Sequence, residues 1–441
     1  MIPAGHRDSE VFEATACHSS SIDHVPTTLL LVENATVPED PRVWAECKTL
    51  RDRGWNVIVI CPRGSRGHAP AEVIDDVRIF RFDGQDEAHG VRAYVAEYAG
   101  NLRRIGSIVR SLSRQLRFDV VHAASPPDFL LLAARGLRKR GAATIFDHHD
   151  LSPELYEVKF GRRGVGYRAL LAAERVGFAL SDVVISTNES FRRVAIERGR
   201  RDPADVFVVR NGPDPSIFRP GSGDPALRRA GQHLIGYAGR MGSQDGLLEA
   251  IEALGILRER RSDWRAIFAG DGEMLPRARE RAAALGIADA VDFVGFVEGR
   301  ERLVQLLASC DVCISPEPKN RLNDQSTLIK VAEYMAVGKP IVAFDLHETR
   351  MTAQDAATLV DSLEGFAAEI SLLFDDPTRR EHMGQVGRER VLASLGWQRS
   401  EERLLAAYDH ALARARGRMT GQGSPSQAPS HGQSPEQAEG R

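Results

Sequence analysis

Short, almost wholly apolar runs alternate with longer amphipathic runs along most of this chain. Residues 56–61 and 183–186 have the length and composition of strands buried on both faces. Runs with a helical spacing of apolar positions separate such strands, for example 41–53 and 165–180. This alternation predicts a parallel sheet covered by helices on both faces. Further strands are predicted at 28–32, 77–82, 120–122, 143–147 and 206–209, and further helices at 91–117, 128–140 and 189–198.

A segment rich in proline and glycine, residues 211–225, interrupts this alternation and marks a linker or boundary. The alternation then restarts, which predicts an α/β fold with two Rossmann-like, doubly wound domains facing each other across a cleft. Ligands of such sheets bind at the carboxyl ends of the strands. In the second half we predict strands at 233–238, 264–269, 291–294, 312–315 and 341–344, and helices at 246–260, 275–285, 300–309 and 326–337.

The two ends of the chain differ in composition from the rest. Both are polar and lack periodicity, so we expect disordered tails. A last helix at about 400–415 has an apolar face, although its spacing does not show which half that face contacts. The predicted organisation is a tail over 1–26, a first domain over 27–215, a second domain over 216–396, a last helix over 397–416 and a tail over 417–441.

The predicted helix from about Ser326 to Val337 is the most informative stretch of the second half. Asn323 and Asp324 can cap its start, while Gly338 and Pro340 end it. Most of its surface is apolar, which indicates a buried helix.

A polar stripe nevertheless follows this helix, because Ser326, Lys330 and Glu333 are spaced four and three residues apart. Burial of such a stripe requires a polar partner, and the first turn offers free backbone N–H groups to an anion. One interpretation is a bound phosphate at the start of the helix with a hydroxyl-bearing group further along. The other is that Lys330 and Glu333 pair with each other or with neighbouring elements, and this stretch alone leaves both open.

Composition excludes several classes of protein. Hydrophobic residues make up 42% and charged residues 27%, and the net charge of -3 does not favour nucleic acid. We find no apolar run long enough to span a membrane and no secretory signal, so we expect a cytoplasmic location. Cys310 and Cys313 are two residues apart, but they have no second pair and lie in a predicted buried strand, so we expect no metal or redox site there.

Five stretches, taken in order, resemble the retaining glycosyltransferases of family 4, which have the GT-B fold. The longest is 326–345, Ser-Thr-Leu-Ile-Lys-Val-Ala-Glu-Tyr-Met-Ala-Val-Gly-Lys-Pro-Ile-Val-Ala-Phe-Asp. The resemblance covers about residues 28–416. The other stretches are Val-Val-Arg-Asn-Gly-Pro-Asp at 208–214, Tyr-Ala-Gly-Arg at 237–240, Ala-Gly-Asp-Gly at 269–272 and Asp-His-His-Asp at 147–150 followed by Glu154.

The resemblance implies a role for individual residues. It makes the second domain the nucleotide-sugar side and the first domain the acceptor side, and the last helix would cross back onto the first domain. Glu333 would bind the ribose, and Ser326, Thr327 and the helix start would bind the diphosphate. The implied catalytic residues are Arg240, Lys330 and His149; the other donor-binding residues are Gln325, Gly239, Gly295, Phe296 and Val297; the acceptor-side residues are Asn34, Asp150 and Glu154.

The chain departs from the family pattern at three places. Gln325 stands where the family usually has the first of two acids eight positions apart. Asp245 and Gly246 stand where many members have a lysine, which leaves Lys330 as the second cation. Ala124 replaces a histidine of the first domain, so His149 becomes the polar candidate on that side.

The expected chemistry follows from the leaving group. Breaking a bond between a sugar and a diphosphate leaves negative charge on the phosphate, which fixed cations such as Arg240 and Lys330 stabilise. We find no Asp-x-Asp motif and predict neither a metal nor a cofactor. The hypothesis is a retaining, metal-independent glycosyltransferase that moves a sugar from a nucleoside-diphosphate sugar to a hydroxyl acceptor in cell-envelope or exopolysaccharide synthesis. The alternatives are a sugar-nucleotide epimerase on the same fold and a catalytically silent nucleotide-sugar-binding subunit.

Other polar residues have structural explanations as well. The glycines of 236–242 do not form the dinucleotide-binding pattern. His148 and His149 are neighbours on an extended segment, so they point in opposite directions; we expect one of them to line the cleft and neither to bind a metal. We expect His122 to be structural. Glu154 either caps a turn or lines the acceptor side.

The predicted helix 91–117 carries many arginines, and the loop 160–164 adds Phe-Gly-Arg-Arg-Gly. An arginine-rich face on a helix that covers a sheet is commonly just solvated. Alternatively, it docks on the anionic inner surface of a membrane, where lipid-linked acceptors reside.

Overall fold

The computed structural model describes residues 24–64, 67–84, 91–227 and 232–421, without the side chains of 91–96. These residues form two α/β halves, each built on its own sheet. The predicted tails lie largely outside the described residues. We therefore keep the proposed domain boundaries as predictions.

The first half contains an eight-stranded sheet in the order β3-β4-β2-β1-β5-β6-β7-β8. Only β3, which the apolar pattern did not predict, is antiparallel to its neighbour. The central strand β1 places Leu29 beside Ile58 of β2 and Val121 of β5, all wholly buried. The strands are β1 (Thr27–Leu31), β2 (Asn56–Pro62), β3 (Ala71–Ile74), β4 (Val77–Phe82), β5 (Val120–Ala124), β6 (Ala143–His148), β7 (Val183–Ser186) and β8 (Val206–Val208).

Helices cover this sheet largely where the amphipathic runs predict them. The predicted helix 128–140 is instead a 3-10 helix over Leu130–Ala134 that continues into a short α-helix, and the helix predicted to end at 117 ends at Leu112. A helix after β6 was missed. The α-helices are α1 (Pro41–Asp52), α2 (Val91–Leu112), α3 (Arg135–Lys139), α4 (Ser152–Phe160), α5 (Val165–Leu180) and α6 (Glu189–Glu197).

The second half contains a six-stranded, wholly parallel sheet in the order β11-β10-β9-β12-β13-β14. Most of its strands end within one residue of their predicted positions, because each apolar run is bounded by polar residues or glycine. The strands are β9 (His233–Ala238), β10 (Trp264–Ala269), β11 (Val291–Gly295), β12 (Val312–Ser315), β13 (Ile341–Phe344) and β14 (Ala357–Val360).

The helix predicted at 326–337 is shorter than expected. Asn323 and Asp324 do not cap it but belong to a separate short helix that is capped by Asn320. Residues 326–328 are extended, and the long helix begins at Ile329. The α-helices of this half are α7 (Leu247–Arg260), α8 (Leu275–Ala284), α9 (Arg300–Ser309), α10 (Arg321–Gln325), α11 (Ile329–Ala336), α12 (His347–Ala353), α13 (Leu363–Asp375) and α14 (Pro377–Arg390).

The last helix, α15 (Trp397–Thr420), packs on the first half. The side chain of Trp397 donates a hydrogen bond to the Thr49 hydroxyl over 3.1 Å. The Tyr408 hydroxyl lies 3.3 Å from the hydroxyl of Thr28 and 3.0 Å from Nδ1 of His122. Within the described residues the chain therefore crosses between the halves twice, and α15 covers the first sheet.

The two halves contact each other beside the carboxyl ends of their strands. Leu322 of α10 packs on Leu151 and Phe191 of the first half. The Ser190 hydroxyl donates a hydrogen bond to the buried carboxylate of Glu348 over 2.6 Å. These contacts hold the two strand-end edges together, which creates the cleft that the sequence predicts. Within the described part of the chain, none of the helices combines the length and apolar content that a membrane span requires.

Candidate active site

The turns at Gly239, Gly270 and Gly295 lie side by side at the carboxyl edge of the second sheet. Their backbone forms a continuous surface, the glycine strip. The Gly239 N–H donates to the Ala269 carbonyl over 3.0 Å, and the Gly270 N–H donates to the Gly295 carbonyl over 2.8 Å. A Cβ atom at Gly270 would lie 1.8 Å from the carbonyl oxygen of Gly239, so only glycine permits this approach. The strip leaves room for a ligand to lie against backbone rather than against side chains.

Lys330 lies beneath this strip in a buried ion pair that the sequence did not reveal. Its ammonium contacts the carboxylate of Glu317, which is 1% exposed and follows β12. It also donates to the Tyr237 hydroxyl over 3.1 Å, and that hydroxyl donates to the Arg240 carbonyl over 2.5 Å. Burial alone would lower the pKa of Lys330, but Glu317, Tyr237 and Asp245 together outweigh burial and raise it.

This geometry corrects the role expected for Lys330. Its charge is already balanced by Glu317, so it is not a free second cation for a leaving phosphate. An ammonium has three N–H donors, and the contacts with Glu317 and Tyr237 leave one for a ligand. Burial raises the pKa of Tyr237 to about 12 despite the nearby Lys330, so its hydroxyl remains a donor that holds the Arg240 turn. The Arg240 side chain itself is exposed.

Glu333 is placed differently from Lys330, although both belong to α11. Its side chain is half-buried. Burial raises the pKa of this carboxyl to about 7, against the opposing effect of Arg300 and Lys330. Lys330 pairs with Glu317, so the internal Lys330–Glu333 pair considered from the sequence is replaced. A partly desolvated carboxyl of this kind gains most from a ligand that donates hydrogen bonds to it.

The segment before α11 contains three of the predicted donor-binding residues. The Ser326 hydroxyl donates to the Leu322 carbonyl over 2.7 Å, and the Gln325 side chain donates to the Arg321 carbonyl over 2.8 Å. These side chains are engaged with α10. The N-cap of α11, Leu328, supplies no side-chain hydrogen bond, and the Val331 N–H donates to the Leu328 carbonyl over 3.1 Å. The N–H groups of Ile329 and Lys330 are therefore the ones available to an anion.

The turn Gly295–Val297, which contains three of the predicted donor-binding residues, lies at the far end of the glycine strip. Gly295 has a φ of 75°, which turns the chain sharply after β11. The next side chain, Phe296, is 67% exposed, whereas Val297 packs into the core. Exposed aromatic rings of this size are uncommon on a surface, and Phe296 offers a flat apolar face beside the strip.

In the first half, Asp147 at the end of β6 is the centre of a buried polar cluster. Arg42 of α1 holds its carboxylate with two hydrogen bonds of 2.8 and 2.9 Å, and Nδ1 of His149 lies 3.0 Å from it. Burial alone would raise the pKa of Asp147, yet Arg42 and His149 keep it well below its usual range. Burial alone would lower the pKa of His149, but Asp147 raises it to about 9. His149 is therefore a cation at neutral pH.

His148 and His149 point in opposite directions, as their positions on an extended segment predict. His148 is wholly buried, and its Nε2 lies 3.2 Å from the carboxylate of Glu174. His149 keeps 12% of its side chain exposed. His122 is buried against Tyr408 of α15, which agrees with a structural role.

The three predicted acceptor-side residues are placed very differently. Asn34 is exposed in the loop after β1, and Asp150 is half-buried beside His149. Glu154 is 1% exposed, and its carboxylate receives hydrogen bonds from Arg198, the residue that follows α6. The expectation that Glu154 contacts an acceptor or caps a turn is therefore corrected: its carboxylate is occupied by an ion pair with Arg198.

Glu46, His122 and Asp147 form a group that resembles a metal site. Their potential ligand atoms lie within 4.8 Å of one another, and all three residues are buried. However, the guanidinium of Arg42 lies 3.3 Å from Glu46 and pairs with Asp147. Together with protonated His149, Arg42 balances the two carboxylates, so we do not assign a metal here.

Two protein-family models match the chain, one in each half. The model described as Glycosyltransferase Family 4 matches residues 42–217, and the model described as Glycosyl transferases group 1 matches residues 224–390. The gap between the two matches falls within the proline- and glycine-rich segment 211–225. The two family-model matches therefore meet within the segment that the sequence marks as a linker or boundary.

Characterised relatives share parts of the sequence. A D-inositol 3-phosphate glycosyltransferase from Thermomonospora curvata is 31% identical over 267 residues, which are 54% of this chain and 59% of that protein. A GDP-mannose-dependent alpha-(1-6)-phosphatidylinositol dimannoside mannosyltransferase from Mycobacterium tuberculosis is 26% identical over 321 residues, which are 70% of this chain and 78% of that protein. The chain thus spans less than two thirds of the length of the first relative.

A sucrose-phosphate synthase from Thermosynechococcus elongatus has a similar structure, with a TM-score of 0.73 and 17% identity. The match covers 88% of this chain and 100% of that one. At this identity the likeness shows the arrangement of the two halves and nothing about substrates.

The buried Lys330–Glu317 pair leads to a prediction about stability. Replacing Glu317 by Gln leaves the ammonium of Lys330 buried without its counter-charge, which we expect to lower the free energy of unfolding by about 3–5 kcal/mol. The double variant with Lys330→Met removes both charges and should cost less than the sum of the single changes. Urea denaturation followed by circular dichroism measures these differences.

The matched control is Glu252→Gln, which breaks the exposed pair with Arg281 and should cost at most about 1 kcal/mol. Equal effects of the two Glu→Gln changes, or strict additivity in the double variant, would show that the buried pair is not what stabilises this edge.

Proposed function

Because this chain belongs to glycosyltransferase family 4 and has the GT-B fold, we propose that it transfers a sugar from a nucleoside-diphosphate sugar to a hydroxyl acceptor, with retention of configuration. One observation carries the proposal. Arg240 is exposed in the turn after β9, and the side chain of Lys330 in the first turn of α11 lies against Gly239. The partly buried carboxyl of Glu333 is one turn further along α11, under the influence of Lys330 and Arg300. Such a donor requires a cation and an anion site for its diphosphate, and a group that accepts hydrogen bonds from its ribose hydroxyls.

The donor would lie along the glycine strip. Glu333 would accept hydrogen bonds from the ribose hydroxyls, and the first-turn N–H groups of α11 with Thr327 would bind the diphosphate. The base would lie at the turn of Gly295, against the ring of Phe296. The Mycobacterium tuberculosis relative is named as GDP-mannose-dependent, which supports a nucleotide-sugar as the donor class.

The proposed chemistry needs charge stabilisation more than a protein nucleophile. The acceptor oxygen bonds to the anomeric carbon as the bond from that carbon to the diphosphate oxygen breaks, and the acceptor proton passes to the departing phosphate. Arg240 supplies the positive charge beside this phosphate, and Lys330 adds its remaining N–H. Neither contribution requires a metal.

His149 would act on the acceptor side as a hydrogen-bond donor. Its pKa of about 9 means that it is protonated at neutral pH, so it is a poor general base. Asp150 and Asn34 would complete this side of the cleft. We place the acceptor in cell-envelope or exopolysaccharide synthesis. The name of the Mycobacterium tuberculosis relative includes a phosphatidylinositol dimannoside, which supports a glycolipid as the class of acceptor.

A lipid-linked acceptor would bring the first half to a membrane. On and just beyond α2, the side chains of Arg103, Arg110 and Arg117 are exposed. Phe160 and Val165 are 57% and 85% exposed at the tip between α4 and α5, beside Arg162. Basic side chains next to exposed apolar ones are typical of surfaces that bind anionic lipid.

The proposed donor site predicts the effect of removing its cation. We expect Arg240→Ala to lower the rate of sugar transfer or of slow donor hydrolysis about ten- to a hundredfold, since one charge-assisted hydrogen bond contributes about 1.5–3 kcal/mol. The assay uses a panel of UDP-, GDP-, ADP- and TDP-sugars with EDTA, and NMR of the product separates transfer from epimerisation. Arg277→Ala, another exposed arginine of the second half, is the control.

In the same panel, Glu333→Ala should abolish detectable donor binding. Binding without turnover across all acceptors tested would favour a silent binding subunit instead. If no nucleotide-sugar binds and neither substitution has an effect, the proposed activity is wrong.

The raised pKa of Glu333 predicts a pH dependence of donor binding. At pH 6 this carboxyl is mostly neutral, whereas accepting hydrogen bonds from ribose favours its ionised form. Binding below the pKa of about 7 must therefore expel a proton. We expect affinity to weaken about eightfold from pH 7.5 to pH 6, measured by isothermal titration calorimetry with the nucleotide-sugar found in the panel.

Glu333→Gln cannot titrate, so its affinity should be the same at both pH values. The nucleotide-sugar carries no group that titrates in this range. If the Gln variant keeps the wild-type pH dependence, another group is responsible for it.

The membrane proposal has its own measurement. We expect the protein to float with liposomes that contain anionic lipid at low salt, and the double change Phe160→Ser and Val165→Ser to reduce the floated fraction several-fold. Leu372→Ser removes an apolar side chain that is 53% exposed on the second half, and it should leave flotation unchanged. Absence of flotation at low salt would remove the membrane from the proposal.

A further inference from the structure

Asn188 is a buried side chain of the first half that contacts the second half. It lies between β7 and α6 and is 0% exposed. Its side-chain oxygen accepts a hydrogen bond of 2.7 Å from the Phe191 N–H, which caps α6. Asparagine is among the preferred residues for this position, so capping alone would explain its presence.

The amide nitrogen of Asn188 has a second task that capping does not explain. It donates to the Gln325 carbonyl over 2.8 Å and to the Thr327 hydroxyl over 2.9 Å. The orientation of the amide is determined by these partners, because the Phe191 N–H can only donate and the Gln325 carbonyl can only accept. The cap oxygen therefore faces its own half, and both N–H groups face the other half.

The residues that Asn188 holds are those that precede α11. The chain leaves α10 at Gln325, is extended at Ser326 and Leu328, and enters α11 at Ile329. A continuous helix across 326–328 is what the apolar pattern alone predicts. The extended segment instead starts α11 at Ile329 and leaves its first-turn N–H groups without a side-chain cap, which is the condition for binding an anion there.

The two halves remain in contact without Asn188. Ser190 bonds to Glu348, and Leu322 packs on Leu151 and Phe191. Loss of the Asn188 amide would therefore release the segment before α11 while the surrounding interface stays closed. This separates a positioning role from a general role in holding the halves together.

We infer that Asn188 is a positioning residue of the donor site: from the first half, it holds the segment between α10 and α11 of the second half in the non-helical form that opens the start of α11. The inference rests on the proposed function for its statement that this site binds a donor. It adds that the anion-binding part of that site is completed by a side chain from the other half.

Three variants separate the two tasks of Asn188. Asn188→Ser keeps an oxygen that can cap α6 but is too short to reach Gln325 and Thr327. Asn188→Ala loses both the cap and the contact with the second half. Ser190→Ala removes a different hydrogen bond between the halves and is the matched control.

Hydrogen exchange of the full chain without any ligand tests the positioning directly. For Asn188→Ser we expect backbone exchange within 326–331 to become about tenfold faster, because two hydrogen bonds that order this segment are lost. Exchange in α7 should be unchanged, and Ser190→Ala should leave 326–331 as in the wild type. Asn188→Ala should additionally speed exchange at the start of α6.

The second readout is the affinity for the nucleotide-sugar identified in the panel. Asn188→Ser should weaken this affinity about tenfold. Its melting temperature should stay close to that of the wild type. Unchanged exchange in 326–331, or a uniform increase throughout the second half, overturns the inference. If the wild type binds no nucleotide-sugar, the proposed function fails, whereas the exchange experiment still decides whether Asn188 positions this segment.

Discussion

The parallel direction of the strands is the constraint on which the arrangement of this protein depends. Parallel strands all end at the same edge of their sheet, so residues far apart in sequence meet there. In the first sheet this edge brings together the segments after β6 and β7, with His149 and Asn188. In the second it brings together the turns after β9, β10 and β11 and the carboxylate of Glu317 after β12. Because α15 returns to the first sheet and α10 packs on α4, the two edges are held side by side.

Buried charges at these edges are compensated within each half, and this decides which groups can respond to a ligand. Arg42 balances Asp147 in the first half, and Glu317 balances Lys330 in the second. Breaking either pair would leave an isolated charge away from water, which is strongly unfavourable. The pairs are therefore part of the scaffold. Arg240 is exposed, so in the proposed function it would meet the negative charge of a diphosphate, together with the N–H groups at the start of α11.

The periodicity of the sequence predicted the fold well where local pattern and tertiary structure agree. Strands such as Trp264–Ala269 and Val312–Ser315 have their predicted bounds. A short apolar run between polar residues can be buried as a strand of just that length, and few other structures would bury it. The periodicity did not predict β14 or the helices α4, α12, α13 and α14, and it failed at β3 and at the helix 326–337. β3 alternates between exposed and half-buried residues and so lacks the apolar run used to find strands. Residues 326–328 have a helical pattern but are extended, because Asn188, distant in sequence, holds them.

The partners of site residues were harder to predict than the residues themselves. Motif spacing pointed to Lys330 and Glu333 and left open whether they pair with each other or with neighbouring elements. Lys330 pairs with such a neighbour, Glu317, which precedes α10 and which the sequence motifs did not identify. Glu154 shows the same limit, since its partner Arg198 lies 44 residues further along the chain, just after α6. Spacing along one helix reports which side chains share a face, but only the packing of elements shows what that face meets.

The contact from Asn188 changes how the second half should be viewed as a binding unit. The glycine strip, Arg240 and Glu333 are all held by contacts within that half, so they are present whether or not the halves approach. The start of α11 is different, because Gln325 and Thr327 receive hydrogen bonds from the first half. In the proposed function, ribose and base contacts would therefore depend on one half, whereas the diphosphate contacts would depend on both. A donor bound through all of them would be held most tightly when the halves are in contact, so donor binding would be linked to the contact between the halves.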